Sequence, residues 1–345
     1  MPAAMAPAPQ PSLFDDADAP AVQPAAPDAA LQGLAARLHA RWGGRLHLGT
    51  SSWHFPGWAG QVWARPAAEA LLSRTGLAAY ARHPMLRAVS LDRAFYRLLA
   101  QDEYAALAAQ VPEHFRFVVK APALLTDAQR RDPATAAPLG DNPGFLDAAL
   151  ADTGVALPAA LGLGAKLGVL VLQLSPLPPR WLRDPPALHA RLAAVVQAAQ
   201  QALAPHAPAA LVALELRDPA LLTPELAALL RRLGARHALG LPDRMPPVDA
   251  QLPMLRATWP GDLVCRWNLQ RGQRYAQARD AWAPFDRLRA PDEPTRQALA
   301  RVARATLDAG HRVVITLNNK AEGSAPASVR ALAEARDAAP AQPGA

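Results

Sequence analysis

Eight short apolar runs, rich in β-branched residues, punctuate the chain: RLHLG (45–49), LRAVSL (86–91), FRFVV (115–119), LGVLVLQL (167–174), ALVALEL (210–216), HALGL (237–241), LVCRW (263–267) and RVVITL (312–317). Most are separated by segments whose apolar spacing is helical and whose ends are marked. In TPELAALLRRLG, Thr223 is placed to cap, Pro224 takes the first helical position and Gly234 stops the helix; EPTRQALARVARATLDAG ends likewise at Gly310. Eight buried strands alternating with helices predict an α/β fold of the TIM-type (β/α)8 barrel class rather than an open doubly wound sheet. No glycine-rich dinucleotide fingerprint follows any run, which weakens the open sheet further. The barrel is expected to occupy residues 31–337 as a single domain. Residues 1–30, rich in Ala and Pro with Asp15, Asp16 and Asp18, and residues 338–345 have tail composition and are expected to be disordered. The connection from the third run to the fourth, 121–166, is long enough to predict a lid or pocket wall.

Barrel enzymes work at the carboxyl ends of their strands, where side chains from eight elements surround one hollow. The candidates that fall there are Trp53 after the first run, Asp92 and Tyr96 after the second, Lys120 at the end of the third and Gln173 in the fourth. Glu215 and Arg217 end the fifth, Asp243 follows the sixth, Arg266 ends the seventh, and Asn318, Asn319 and Lys320 end the eighth. Polar residues are expected wherever a strand leaves the core, so position alone is weak evidence. Two features add to it. Two of the chain's three lysines, Lys120 and Lys320, sit at strand ends, and Glu215 is embedded between Leu214 and Leu216. A carboxylate there requires a cationic partner or a raised pKa, and Lys120, Arg217 and Arg266 are the candidate partners. The last run breaks off into NNKAEGSAP, a glycine-containing loop leading to a helix start, which predicts an anion or phosphate site built by Arg266, Asn318, Asn319 and Lys320 with Arg271 or Arg274.

Composition sets the bounds. With 345 residues and 51% hydrophobic content the chain has material for a large core. No run spans a bilayer and the first 30 residues lack the features of a secretory signal, so a soluble, cytoplasmic protein is expected. Cys265 is the single cysteine, which removes disulfides and cysteine-rich zinc sites. The formal charge of +7, almost all of it arginine, permits an anionic small molecule or nucleic acid as partner.

Several chemistries compete. No histidine ends a strand, since His237 begins one and His54 lies in a loop, so no metal or cofactor is predicted; a single Mg²⁺ on Glu215 or Asp243 is the alternative. Glu215 with Asp243 could form the carboxylate pair of a sugar-directed hydrolase. Trp53, Trp58 and Tyr96 offer stacking surfaces, and Lys120, in the apolar setting FVVKAP, suits Schiff-base chemistry or a salt bridge to Glu215. The leading expectation is a pocket enzyme acting on a phosphate-bearing substrate, a nucleotide or nucleic acid. Glu215 would serve as general acid or base tuned by Lys120 and Arg217, while Trp53 and Tyr96 wall the pocket.

The motifs GTSSWHFPGW, DRAFYR, FRFVVKAP, LGVLVLQLSP, LELRDP, VCRWN and LNNKAEGSAP, in this order over about residues 45–335, resemble the YecE-like family, domain of unknown function 72. That resemblance implies a TIM-type barrel and no established activity. Trp53, Tyr96, Lys120, Glu215, Arg217, Arg266 and Asn319 match its pattern. Ser90 and Asp92 stand where relatives have glutamate and asparagine, Asp218 replaces a histidine, and Thr126-Asp127 replaces a threonine-histidine pair. The tail segment QPSLFDD (10–16) resembles peptides with which bacterial DNA enzymes bind the replication sliding clamp. Gln10, Leu13 and Phe14 would be its contacts in the alternative reading, a noncatalytic nucleic-acid-associated module.

Overall fold

In the computed structural model, which describes residues 21–132, 134–242 and 244–338, eight parallel strands close into a barrel. They are β1 (Leu46–Thr50), β2 (Ala88–Leu91), β3 (Arg116–Lys120), β4 (Leu167–Gln173), β5 (Leu211–Glu215), β6 (Arg236–Gly240), β7 (Leu263–Trp267) and β8 (Val313–Leu317). Each pairs with its sequence neighbours, and β8 returns to β1 with Leu46 opposite Val313 and Thr50 opposite Leu317. Helices connect the strands around the outside, so the fold is the TIM-type (β/α)8 barrel that the apolar runs predict.

Side chains alternate across a strand, and here the alternation sorts the core into two compartments. Leu170, Leu172, Leu214, Leu239, Ile315 and their neighbours face the helices and join the large outer core. Val118, Val169, Val171, Ala213, Ala238, Val264 and Val314 form a separate small cluster inside the barrel. Two residues further along the same strands stand Lys120, Gln173, Glu215, Gly240, Arg266 and Thr316. The barrel is thus plugged with valine and alanine, and a polar layer lies directly above the plug.

The helix ends follow local chemistry. Thr223 accepts a hydrogen bond from Leu226 N to open the helix Pro224–Leu233, and Gly234 closes it at φ 64°. Residues 21–30, assigned by composition to a tail, are held in place from Gln23 onward: Ala25 N donates to Val62 O, Ala64 N to Gln23 O, and Asp28 caps the helix Ala29–Trp42. The connection between β3 and β4 is likewise stapled. Asn142 Nδ2 donates to the carbonyls of Ala123, Leu124 and Asp127, and the segment beyond it ends in the helix Leu157–Leu163, against which Gly162 admits the backbone of Gln101. No helix among the described residues is long and apolar enough to cross a membrane.

Asn319 is a structural hinge point of the last crossover. Its Oδ1 accepts from Trp58 Nε1 at 3.1 Å and from Ala325 N at 2.8 Å, so one amide ties the β1 loop to the first turn of the helix Ala325–Ala338. Asn319→Ala leaves a buried indole N–H and a helix N-terminus without their acceptor. Chemical denaturation is expected to show a loss of about 1–3 kcal/mol.

Candidate active site

Glu215 ends β5 with no solvent exposure. Gly240 on neighbouring β6 makes the room: a Cβ there would stand 3.0 Å from Glu215 Cγ. The carboxylate is held on every side. Arg266 Nη1 donates to Oε2 at 2.5 Å, Arg217 Nη2 ion-pairs with Oε1 at 2.7 Å, and Asn268 Nδ2 donates to Oε1 at 3.1 Å. Arg266 Nη2 reaches across the barrel to Asp92 Oδ1 at 2.6 Å, and Ser90 Oγ donates to the same oxygen. Gln173 Oε1 accepts from Arg217 Nη2 at 2.7 Å and from Arg266 Nη1 at 3.4 Å, which fixes both guanidinium planes. Burial alone would raise the Glu215 carboxyl, but Arg217, Arg266 and Lys120 outweigh it and hold it down at about 2. Arg266 is shifted upward: burial opposes its charge, and Asp92 and Glu215 more than restore it.

The acid–base role expected of Glu215 falls on a carboxylate already engaged by its neighbours. The surrounding cations hold its carboxyl low, and both oxygens accept from donors. The same donors compete with a Mg²⁺ ion or a sugar leaving group for those oxygens.

Lys120 ends β3 in the opposite condition. Its side chain is 9% exposed, and Nζ lies 3.5 Å from the ring centroid of Phe95. Nζ makes no hydrogen bond or ion pair among the described residues, since Arg266 takes Glu215 Oε2 and Asp92 Oδ1. Burial, reinforced by the charge of Arg266, pushes the amine down to about 7 against the pull of Asp92 and Glu215. The direction of the shift favours release of the Lys120 proton.

Above these residues opens a cavity of about 480 Å³. Its charged lining among the described residues consists of Lys120, Arg217, Arg244, Arg266 and Arg274 against a single carboxylate, Asp92. Arg244 and Arg274 are exposed and have no ion pair among the described residues, whereas Arg266 is engaged by its carboxylates. Tyr96 and Tyr275, 85% and 59% exposed, stand in the wall; burial pushes both phenols upward, helped by Tyr275 and Asp92 at Tyr96 and by Asp92 at Tyr275.

A family profile described as a protein of unknown function, DUF72, matches residues 47–344. The chain belongs to the DUF72 family. This is the YecE-like family that its motifs resemble. Among solved structures, a DUF72 family protein from Enterococcus faecalis V583 is similar at 18% identity with a TM-score of 0.54, over 87% of this chain and 99% of that one. A DUF72 family protein from Thermotoga maritima MSB8 is similar at 14% identity with a TM-score of 0.47, over 85% and 98%. At such identity the first likeness speaks to fold alone. No curated protein matches the chain.

The DUF72 barrel brings together Asp92, Tyr96, Lys120, Gln173, Arg217, Arg266 and Asn318 at the cavity, with Glu215 beneath them. It does not bring the rest. Trp53 is buried in the core, its Nε1 donating to Leu72 O at 3.1 Å, so it walls no pocket. Asn319 turns away to cap the last helix. Lys320 is buried with Nζ 4.1 Å from the Tyr275 ring centroid and 5.4 Å from that of Phe285; burial lowers its amine to about 8, and it lies behind Tyr275 rather than on the cavity. At the helix start where a phosphate corner is expected, Asn319 Oδ1 accepts from Ala325 N. No described residue of 121–166 lines this cavity. Asp243, Gln10, Leu13 and Phe14 lie outside the described residues.

The DUF72 positions that depart from the family pattern have local work. Ser90 orients Asp92, Asp218 accepts from Ala220 N in the turn after β5, and Asp127 pairs with Arg131. Tyr275 is among the lining residues that the sequence does not single out, with Ser175, Arg244 and Asn268. It follows the QRGQR loop, which the arginines alone had marked.

Proposed function

We propose that this DUF72 protein is an enzyme that binds a phosphate-bearing substrate in the mouth of the barrel and works on it through Lys120. The reading rests on one observation: a buried amine without an anionic partner opens onto a cavity with five cationic side chains and one carboxylate in its described lining. Arginine forks favour multiply charged oxyanions, and Arg217, Arg244 and Arg274 have donors to offer. Tyr96 and Tyr275 supply faces on which a base or sugar can stack, which favours a nucleotide or sugar phosphate. Glu215 and Gln173 act by positioning Arg217 and Arg266. A larger cavity of about 700 Å³ opens at the other end of the barrel, lined by Arg82, Arg87 and His83. Burial holds His83 neutral at about 4, and the strand ends deliver their functional groups to the opposite face.

Thermal shift tests the reading, because a ligand that binds the folded state alone stabilises it by about 2.7 kcal/mol at a hundredfold excess over Kd. AMP and ribose 5-phosphate are expected to raise Tm where adenosine and ribose do not, and Arg244→Ala with Arg274→Ala is expected to remove most of the shift. Equal shifts from charged and uncharged ligands, or an undiminished shift in the double variant, would overturn it.

A further inference from the structure

Resting on that reading of the mouth, we infer that Lys120 is a covalent nucleophile that forms a Schiff base with the open-chain aldehyde of a sugar phosphate. The geometry separates this lysine from the chain's other two. Lys166 Nζ donates to Ala108 O and Val111 O and pairs with Glu113, so its donors are engaged. Lys320 is closed in behind Tyr275 and Phe285. Lys120 alone combines burial, access to the cavity and the absence of an anion at Nζ.

That absence is built. Two carboxylates lie near enough to influence Lys120, and in most buried sites one of them would take the ammonium as its partner. Here Arg266 bridges Asp92 and Glu215 from the centre of the barrel, with Gln173 and Ser90 holding the array. Lys120 is left with the face of Phe95 and a nearby positive charge. A cation so placed is costly, and the site relieves the cost by releasing the proton, which also exposes the nitrogen lone pair to the cavity. A lysine meant only to grip phosphate would be better served by keeping its charge, as the exposed Arg244 and Arg274 do.

The step balances without a redox partner. The Lys120 Nζ lone pair forms a bond to the carbonyl carbon, and the carbonyl π pair moves to oxygen and is protonated. The resulting carbinolamine loses that oxygen as water, the nitrogen surrendering its protons, so amine plus aldehyde gives imine plus water. The amine is regenerated by hydrolysis. The arginines would hold the phosphate a few bonds away, which explains why a nucleophile should share its cavity with so many cations.

Borohydride trapping decides it. The full chain is incubated with ribose 5-phosphate or glyceraldehyde 3-phosphate, with unphosphorylated glyceraldehyde as control, reduced with sodium borohydride and mapped by peptide mass spectrometry. With three lysines in the sequence the map is unambiguous. The expected result is a reduced adduct on Lys120, formed with the phosphorylated aldehydes in large excess over glyceraldehyde, absent in Lys120→Met, and forming faster as pH rises through about 7. An adduct confined to the α-amine or to the other lysines, or equal labelling by glyceraldehyde, would overturn the inference. A sugar phosphate that raises Tm yet leaves no adduct overturns the Schiff base and leaves the anion site standing; no shift and no adduct overturn both. Circular dichroism of Lys120→Met separates a lost nucleophile from a lost fold.

Discussion

Glu215→Ala is expected to lose about 3–5 kcal/mol of folding stability at pH 7, the range observed when one member of a buried ion-pair array is removed and its partners stay behind. The loss arises from the arginines. Arg266 is 1% exposed and Arg217 only partly accessible, so neither can turn to water once the carboxylate is gone. The cavity left beside Gly240 adds to it. Glu215→Gln, which keeps the volume and one acceptor oxygen, should lose less. The pH dependence carries the same signature. The Glu215 carboxyl is held at about 2 in the folded protein against an ordinary 4.5. Its contribution, on the order of 3 kcal/mol by linkage, is therefore fully present above pH 4.5 and is lost as pH falls through 2. Urea unfolding of both proteins from pH 7 downward should show their difference shrinking across that window. A difference below about 1 kcal/mol at pH 7 would mean that the array does not hold the barrel mouth together.

Lys120→Met is expected to act in the opposite direction on stability while abolishing turnover and adduct formation. Methionine is unbranched and close to the lysine stem in shape, so it fills the space beside Phe95 without the charge. In the folded protein Lys120 is pushed down to about 7 from 10.5, whereas the unfolded chain keeps the ordinary value. Between these limits the unfolded state binds the extra proton, so wild-type stability relative to the variant rises as pH increases from 7 towards 10.5. Below pH 7 both states hold the proton and the wild type bears the full cost of a buried cation, on the order of 5 kcal/mol. The variant should thus melt higher than the wild type at pH 6, and the gap should close near pH 10. A stabilising substitution that ends activity is the pattern expected where function retains an unfavourable group. A variant less stable than the wild type at pH 6 would show that the charge is paired after all.

The barrel was legible because each strand carries its own signal. Period-two alternation within VVK, LEL and CRW also places Lys120, Glu215 and Arg266 on the inward face, two residues beyond Val118, Ala213 and Val264. What alternation cannot reveal is which cation wins which carboxylate. That depends on register between strands distant in sequence: Glu215 stands opposite Gln173, and Gly240 opposite Arg266. Once Arg266 bridges Asp92 and Glu215, the carboxylates are taken and Lys120 is left without an anionic partner among the described residues. Residues past the strand ends were less legible for a different reason. Trp53 and Asn319 leave their strands polar or aromatic as Tyr96 and Asn318 do, yet one pair turns to the helices and the other to the mouth, and the backbone after the strand sets that choice. The helix start at Ala325 reads as an open anion site only if its cap is unknown. Tyr275 opens the short helix Tyr275–Trp282, whose apolar spacing does not single it out.

The central claim is that Lys120 faces the mouth as an amine able to lose its proton near neutrality. With only three lysines in the chain, side-chain NMR of protein labelled at lysine can follow each ammonium through a pH titration. The account predicts one resonance titrating near pH 7 that disappears in Lys120→Met. A resonance assigned by that variant and titrating at about 10, beside the ordinary lysine value, would contradict it.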